Sequence, residues 1–161
     1  GVSYKAGSAP HIQIVYSTRH IENSYATSMF KLDFETKGVL FHEMTHAYQL
    51  EPKGIPGYSE PNTSWQIIEG MADAIRAHAN FFPWTNRTPG GYWQNGYQRT
   101  GFFLEWLTTK DADALRKING TMVSINPWSF DKAMVYTFGE VLATQSPTDE
   151  LWTEYQTAIS N

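Results

Sequence analysis

The stretch GVLFHEMTHAYQ (38–49) sets His42 and His46 four residues apart, with Glu43 directly after the first. On a helix, side chains at i and i+4 leave the same face. Two imidazoles so placed can reach one zinc ion at roughly 2.0–2.1 Å. Glu43, turned by about 100° from His42, stands beside such an ion rather than on it, where its carboxylate can take a proton from a water. H-E-x-x-H is the spacing of zinc peptidases. Ordinary amphipathic helices carry the same pattern with histidines satisfied by hydrogen bonds, so a second feature has to decide.

A catalytic zinc takes a third protein ligand and keeps one position open. The stretch IIEGMADAIRAH supplies Glu69, with 22 residues between it and His46, and Asp73 one helical turn further on. Metal-bound histidines pass their second ring N–H to a carboxylate or carbonyl, which fixes the tautomer. Glu69 as ligand and Asp73 as that acceptor meet both needs. Solvated helix carboxylates are the competing explanation, and it fits poorly because Ile67, Ile68, Met71, Ala72 and Ile75 surround the pair. The peptidase class with a third histidine is excluded, since it needs Gly at 49 and His at 52 where this chain has Gln49 and Pro52. Two histidines and one glutamate remain.

Several function classes fall away on composition. The 161 residues suit one domain, 1–161, and at 41% hydrophobic and 17% charged the chain can bury a core. A net charge of -4 offers no basic stripe for nucleic acid. The absence of cysteine excludes disulfides and thiolate zinc ligands. No apolar run approaches the ~18 residues of a membrane span. Sequons at Asn62, Asn86 and Asn119 favour a secreted chain. The first residue, Gly1, suggests a processed chain or a fragment.

The elements that must position these residues are mostly helical, an α+β pattern with little sheet. HIQIVYS (11–17) is the one clear strand. TRHIENSYATSMF (18–30) lacks a firm period and is expected to be a loop. The helix carrying the histidines then starts at Asp33 or Thr36 and stops at Pro52. A second helix spans 63–82, with Thr63 and Gln66 as a capping box. A third runs through QNGYQRTGFFLEWLTTK, shorter ones cover 111–119 and 129–143, and a last one starts at Ser146 and Pro147.

Four stretches, GVLFHEMTHAYQ, IEGMADAIRA, WQNGYQRTGFFLEWL and FGEVLATQSPTDELWTEY, occur in the order and approximate spacing of a known family. The chain resembles the basic secretory proteins of plants and their bacterial and fungal relatives, regarded as zinc metallopeptidases. The likeness runs from IQIVYS nearly to the C-terminus. It implies a zincin-like, gluzincin-like domain with an active-site helix, one Zn2+, and a peptide or protein substrate. Members normally carry a further N-terminal stretch, so the domain is expected to lack that portion. Plant members are often basic whereas this chain is acidic. In the family-like segment GYWQNGYQRTG, Tyr97 and then Tyr92 are candidates to donate to the oxyanion. Arg99 can do so too, or pair with a substrate carboxylate. Packing roles compete for both tyrosines. HIQIVYS, as the sheet edge above the metal, can take an extended substrate as an added strand.

Two alternatives keep the zinc. One is a peptidase specific for glycosylated proteins, with PWTNRTPGGYW and SINPWSF stacking on sugars. The other is a non-catalytic zinc-containing binding module.

Overall fold

The computed structural model describes residues 2–8, 10–58, 64–139 and 146–160. The chain opens with an antiparallel hairpin of β1 (Ser3–Ser8) and β2 (His11–Tyr16), with Tyr4 opposite Val15 and Lys5 opposite Ile14. Helices follow: α1 (Thr18–Thr27), α2 (Met29–Tyr48), α3 (Trp65–His78), α4 (Tyr97–Trp106), α5 (Ala114–Ser124), α6 (Phe130–Phe138) and α7 (Pro147–Ser160). The fold is α+β and mostly helical, with a sheet of two strands among the described residues.

The start of the chain differs most from the sequence expectation. Residues 18–30 are not a loop but α1 and the first residues of α2. Each helix is started by a serine whose hydroxyl accepts a backbone N–H three residues on: Ser17 from His20 at 3.4 Å, and Ser28 from Lys31 at 3.0 Å. Only Ser24 of α1 is buried, so no apolar stripe marks that helix in the sequence. Asp33 and Thr36 consequently lie inside α2, where Asp33 pairs with Lys37 at 2.7 Å. HIQIVYS is also not alone, because a strand leaves half its backbone groups unpaired. Its partner SYKAGS was hidden by its polar composition.

The other elements sit close to their expected places. α3 stops at His78, and Asn80 turns the chain with φ 63°, so Phe81 and Phe82 lie beyond the helix. Thr63, half of the expected capping box, lies outside the described residues, as do Asn62 and residues 140–145. α4 tightens into a 3-10 turn at Leu107–Thr109. α5 starts and ends later than expected, and α6 stops at Phe138 before Gly139 with φ 82°. No helix among the described residues is long and apolar enough to cross a membrane.

The core gathers around α3 and α4, where Ile67, Phe103, Leu104, Leu107, Ile118 and Met134 are fully buried. Two glycines let these helices approach closely. A Cβ on Gly70 would stand 2.5 Å from Thr100 Cγ2, and one on Gly101 would stand 2.7 Å from Asp73 Cβ and 3.1 Å from the Ala74 nitrogen. α4 therefore supports α3 from directly behind Asp73.

That contact yields a test. Gly101→Ala must push backbone against backbone at Ala74, and overpacking of this kind costs ~1–3 kcal/mol. The gain in helix propensity is at most about 1 kcal/mol. A urea titration should show a net loss of roughly 1–2 kcal/mol, with an unchanged m-value.

Candidate metal centre

The last two turns of α2 and the first two turns of α3 face each other across a cleft of about 880 Å³. His42 Nε2 lies 3.2 Å from Glu69 Oε2 and 3.0 Å from His46 Nε2, and His46 Nε2 lies 3.6 Å from Glu69 Oε2. Four ligands at ~2.0–2.1 Å in a tetrahedron are about 3.3–3.4 Å apart. The three edges of this triangle bracket that value. His42, His46 and Glu69 can thus hold one metal ion through two nitrogens and one oxygen.

The outward atoms of the same three side chains are held as well. His42 Nδ1 donates to Asp73 Oδ1 at 2.8 Å, the partnership expected from the i+4 spacing of Glu69 and Asp73. The Tyr58 hydroxyl donates to Glu69 Oε1 at 2.5 Å, leaving Oε2 to face the histidines. Gln49, the C-cap of α2, brings its side-chain amide to 3.1 Å from His46 Nδ1. Tyr58 and Gln49 were missed from the sequence as parts of the site. Gln49 carried a faint signal at three residues past His46, on the same helical face. Tyr58 sits in a Gly- and Pro-rich loop, and its chain position says nothing about where its hydroxyl points.

These contacts set the charges. Burial disfavours the charged ring of His42, but hydrogen bonds to Asp73 and Glu69 outweigh it and raise its pKa to about 9. Burial likewise works against the Glu69 carboxylate. Hydrogen bonds from His42, His46 and Tyr58 prevail and hold it well below the usual carboxylate range. The Tyr58 phenol is pushed far above its ordinary value by burial and by its bond to Glu69. It stays a donor at any working pH.

Glu43 is only 3% exposed, yet it lines the cleft beside the histidines. Tyr97 lines it too, from the first residue of α4, where φ is 41°. A non-glycine residue in that region is strained, and such strain gathers at functional sites. Burial and the nearby Glu69 charge raise the Tyr97 phenol, with a hydrogen bond to Tyr58 opposing them. Tyr92 and Arg99 stand elsewhere. Tyr92 is 71% exposed, its N–H donating to Asn95 Oδ1 at 2.7 Å, and Arg99 donates to the carbonyls of Thr88 and Pro89. Neither lines the cleft.

The strand along the cleft is β1, through Ser3, Tyr4 and Lys5, whereas β2 lies behind it. The tryptophans expected to stack on sugars all pack on aromatic rings, and Trp84 still keeps 41% of its surface exposed. Trp128 is buried against Phe130, Trp93 packs on the same ring, and Trp84 packs on Phe102.

The family model described as "BSP: Peptidase of plants and bacteria" matches residues 1–155. The chain belongs to this peptidase family. No curated protein and no solved structure matches it. The match covers the hairpin, both helices that carry His42, His46 and Glu69 and most of α7, so the candidate centre lies wholly within the matched span.

Two tests follow from the geometry. In chelator-treated protein, the stability contributed by His42 is complete below its unfolded value of ~6.5 and is lost as pH rises through about 9. Chemical denaturation at pH 6.5 and 9.5 should differ by on the order of 3 kcal/mol, with the lower pH more stable. Asp73→Asn should flatten that slope. A metal must displace the same proton, so metal affinity should climb over this window. Separately, Tyr58→Phe frees Glu69 Oε1 and should weaken metal binding by roughly 10-fold in a chelator competition.

Proposed function

We propose that this member of the family is a zinc-dependent peptidase working through the His42–His46–Glu69 centre. The observation that carries the proposal is the triangle of ligand atoms, whose 3.0, 3.2 and 3.6 Å edges suit a tetrahedral ion. Two imidazoles, one carboxylate and no thiolate suit zinc, with one position left for water or substrate. Zinc, when bound there, lowers the pKa of water toward ~7 and polarises a carbonyl oxygen.

The protein's own groups supply the rest. Glu43, buried in the cleft wall next to His42, accepts the proton of the attacking water and delivers it to the leaving amine. Tyr97, kept protonated by its surroundings, donates a hydrogen bond to the oxygen on which negative charge develops. Asp73 orients His42, and the ionised Glu69 balances the charge of the centre. β1 pairs with β2 along one edge only, and its Ser3–Lys5 stretch borders the cleft. That strand, rather than β2, offers its backbone to an extended peptide. The exposure of Asn86 in the sequon NRT supports a secreted chain.

Metal analysis by mass spectrometry on protein purified without chelators should find about one zinc per chain, sharply reduced in Glu69→Ala. Glu43→Gln should keep the zinc and lower kcat on a peptide substrate by ~10²–10⁴-fold. Zinc retained in wild type with no hydrolysis of any protein substrate would instead indicate a non-catalytic metal module.

A further inference from the structure

Gln49 presents a conflict. Its backbone N–H closes α2 on the Thr45 carbonyl at 2.8 Å, and the N–H of the next residue, Leu50, is tied to Asn119 Oδ1 at 3.0 Å. With the backbone held there, the side chain lies against His46. There its amide nitrogen stands 3.1 Å from Nδ1, while its amide oxygen is buried without a hydrogen-bond partner among the described residues. An amide nitrogen donating to Nδ1 would leave the His46 proton on Nε2, the atom that points into the ligand triangle. A proton there blocks a metal. Turning the amide by 180° removes that fault, because the oxygen then accepts Nδ1–H and the Nε2 lone pair is free. The NH2 then takes over the buried position without a partner. Either orientation leaves one buried amide group unpaired, so the lone pair that a metal needs on Nε2 is what selects the turned amide.

We propose that Gln49 is a positioning residue of the metal centre: its amide oxygen accepts the Nδ1–H of His46 and so keeps the His46 Nε2 lone pair aimed at the ion. The inference rests on the metal reading of His42, His46 and Glu69. With it, each ligand has one fixed partner: Asp73 for His42, Gln49 for His46 and Tyr58 for Glu69. Metal-ligating histidines have their second nitrogen held in this way as a rule. The residue that holds His46 is the C-cap of His46's own helix, so the end of α2 supplies both ligand and orienter.

The test uses two variants that separate accepting from donating. Gln49→Glu can only accept at this position, and Gln49→Met fills similar space with no hydrogen bond of comparable strength. Zinc affinity is measured by chelator competition. The His46 tautomer of the metal-free protein is read from its imidazole 15N shifts. The proposal expects Gln49→Glu to bind zinc within about 3-fold of wild type, and Gln49→Met to lose roughly 10–100-fold. It also expects the Nδ1–H tautomer in wild type, shifting toward Nε2–H in Gln49→Met. A Gln49→Glu variant as weak as Gln49→Met would overturn the inference alone, since the amide nitrogen would then be the group in use. So would wild-type affinity in Gln49→Met. Wild-type protein that binds no zinc would overturn the metal reading, and this inference with it.

Discussion

An imidazole has two nitrogens on opposite sides of its ring, and in His42 both are committed. One faces Asp73 and the other faces Glu69 and His46. Asp73 and Glu69 are one turn apart on α3, so His42 is clasped between two successive turns of a neighbouring helix. This fixes the distance and rotation of α2 against α3 at the point where the chemistry is assigned. A second clasp lies nearer the start of α2, where Arg76 reaches Glu35 at 3.3 Å and the Phe81 carbonyl at 2.8 Å while lying over the Phe82 ring. With two such points of attachment, α2 can neither slide nor turn along α3. The other elements brace that pair: α4 packs behind α3, and the hairpin and α1 pack against α2.

The arrangement concentrates negative charge. Glu35, Glu43, Glu69 and Asp73 are each less than a tenth exposed and line one cleft. Burying a carboxylate without compensation is costly, and removing one partner of a buried pair costs more than the pair contributes. His42 answers Asp73 and Glu69, while Lys31 and Arg76 answer Glu35. Glu43 has no such cation in contact among the described residues, which suits the proton-transfer role proposed for it. The cleft is thus preorganised around charge: a divalent ion at the triangle would add the positive charge that three neighbouring carboxylates favour.

Much of this centre was legible from spacing alone. The i, i+4 placements of His42 with His46 and of Glu69 with Asp73 put each pair on one helical face, because the helical period makes that unavoidable. The apolar residues around Glu69 and Asp73 announced their burial. Helix boundaries were less legible where the signals were polar. α1 buries almost nothing, and β1 is short and mostly polar, with Tyr4 and Ala6 its only apolar positions, so neither produced a strong period to find. Serine caps at 17 and 28 were available as signals, but residues 18–30 carried no hydrophobic pattern behind them to give the caps meaning.

The sequence by itself determined which side chains share a helical face, and from that the candidate ligands and the carboxylate on α3 that meets His42. It did so because those relations are local, set by 3.6 residues per turn. Only the tertiary structure decided which side chains from unrelated loops and helix starts reach the centre. It placed Tyr58 on Glu69 and Tyr97 in the cleft, left Tyr92 and Arg99 outside, and made β1 rather than β2 the strand beside the ligands. Those are long-range relations, fixed by how α3 packs on α4 across Gly70 and Gly101 and by where each loop is tied down, and no periodicity along the chain encodes them.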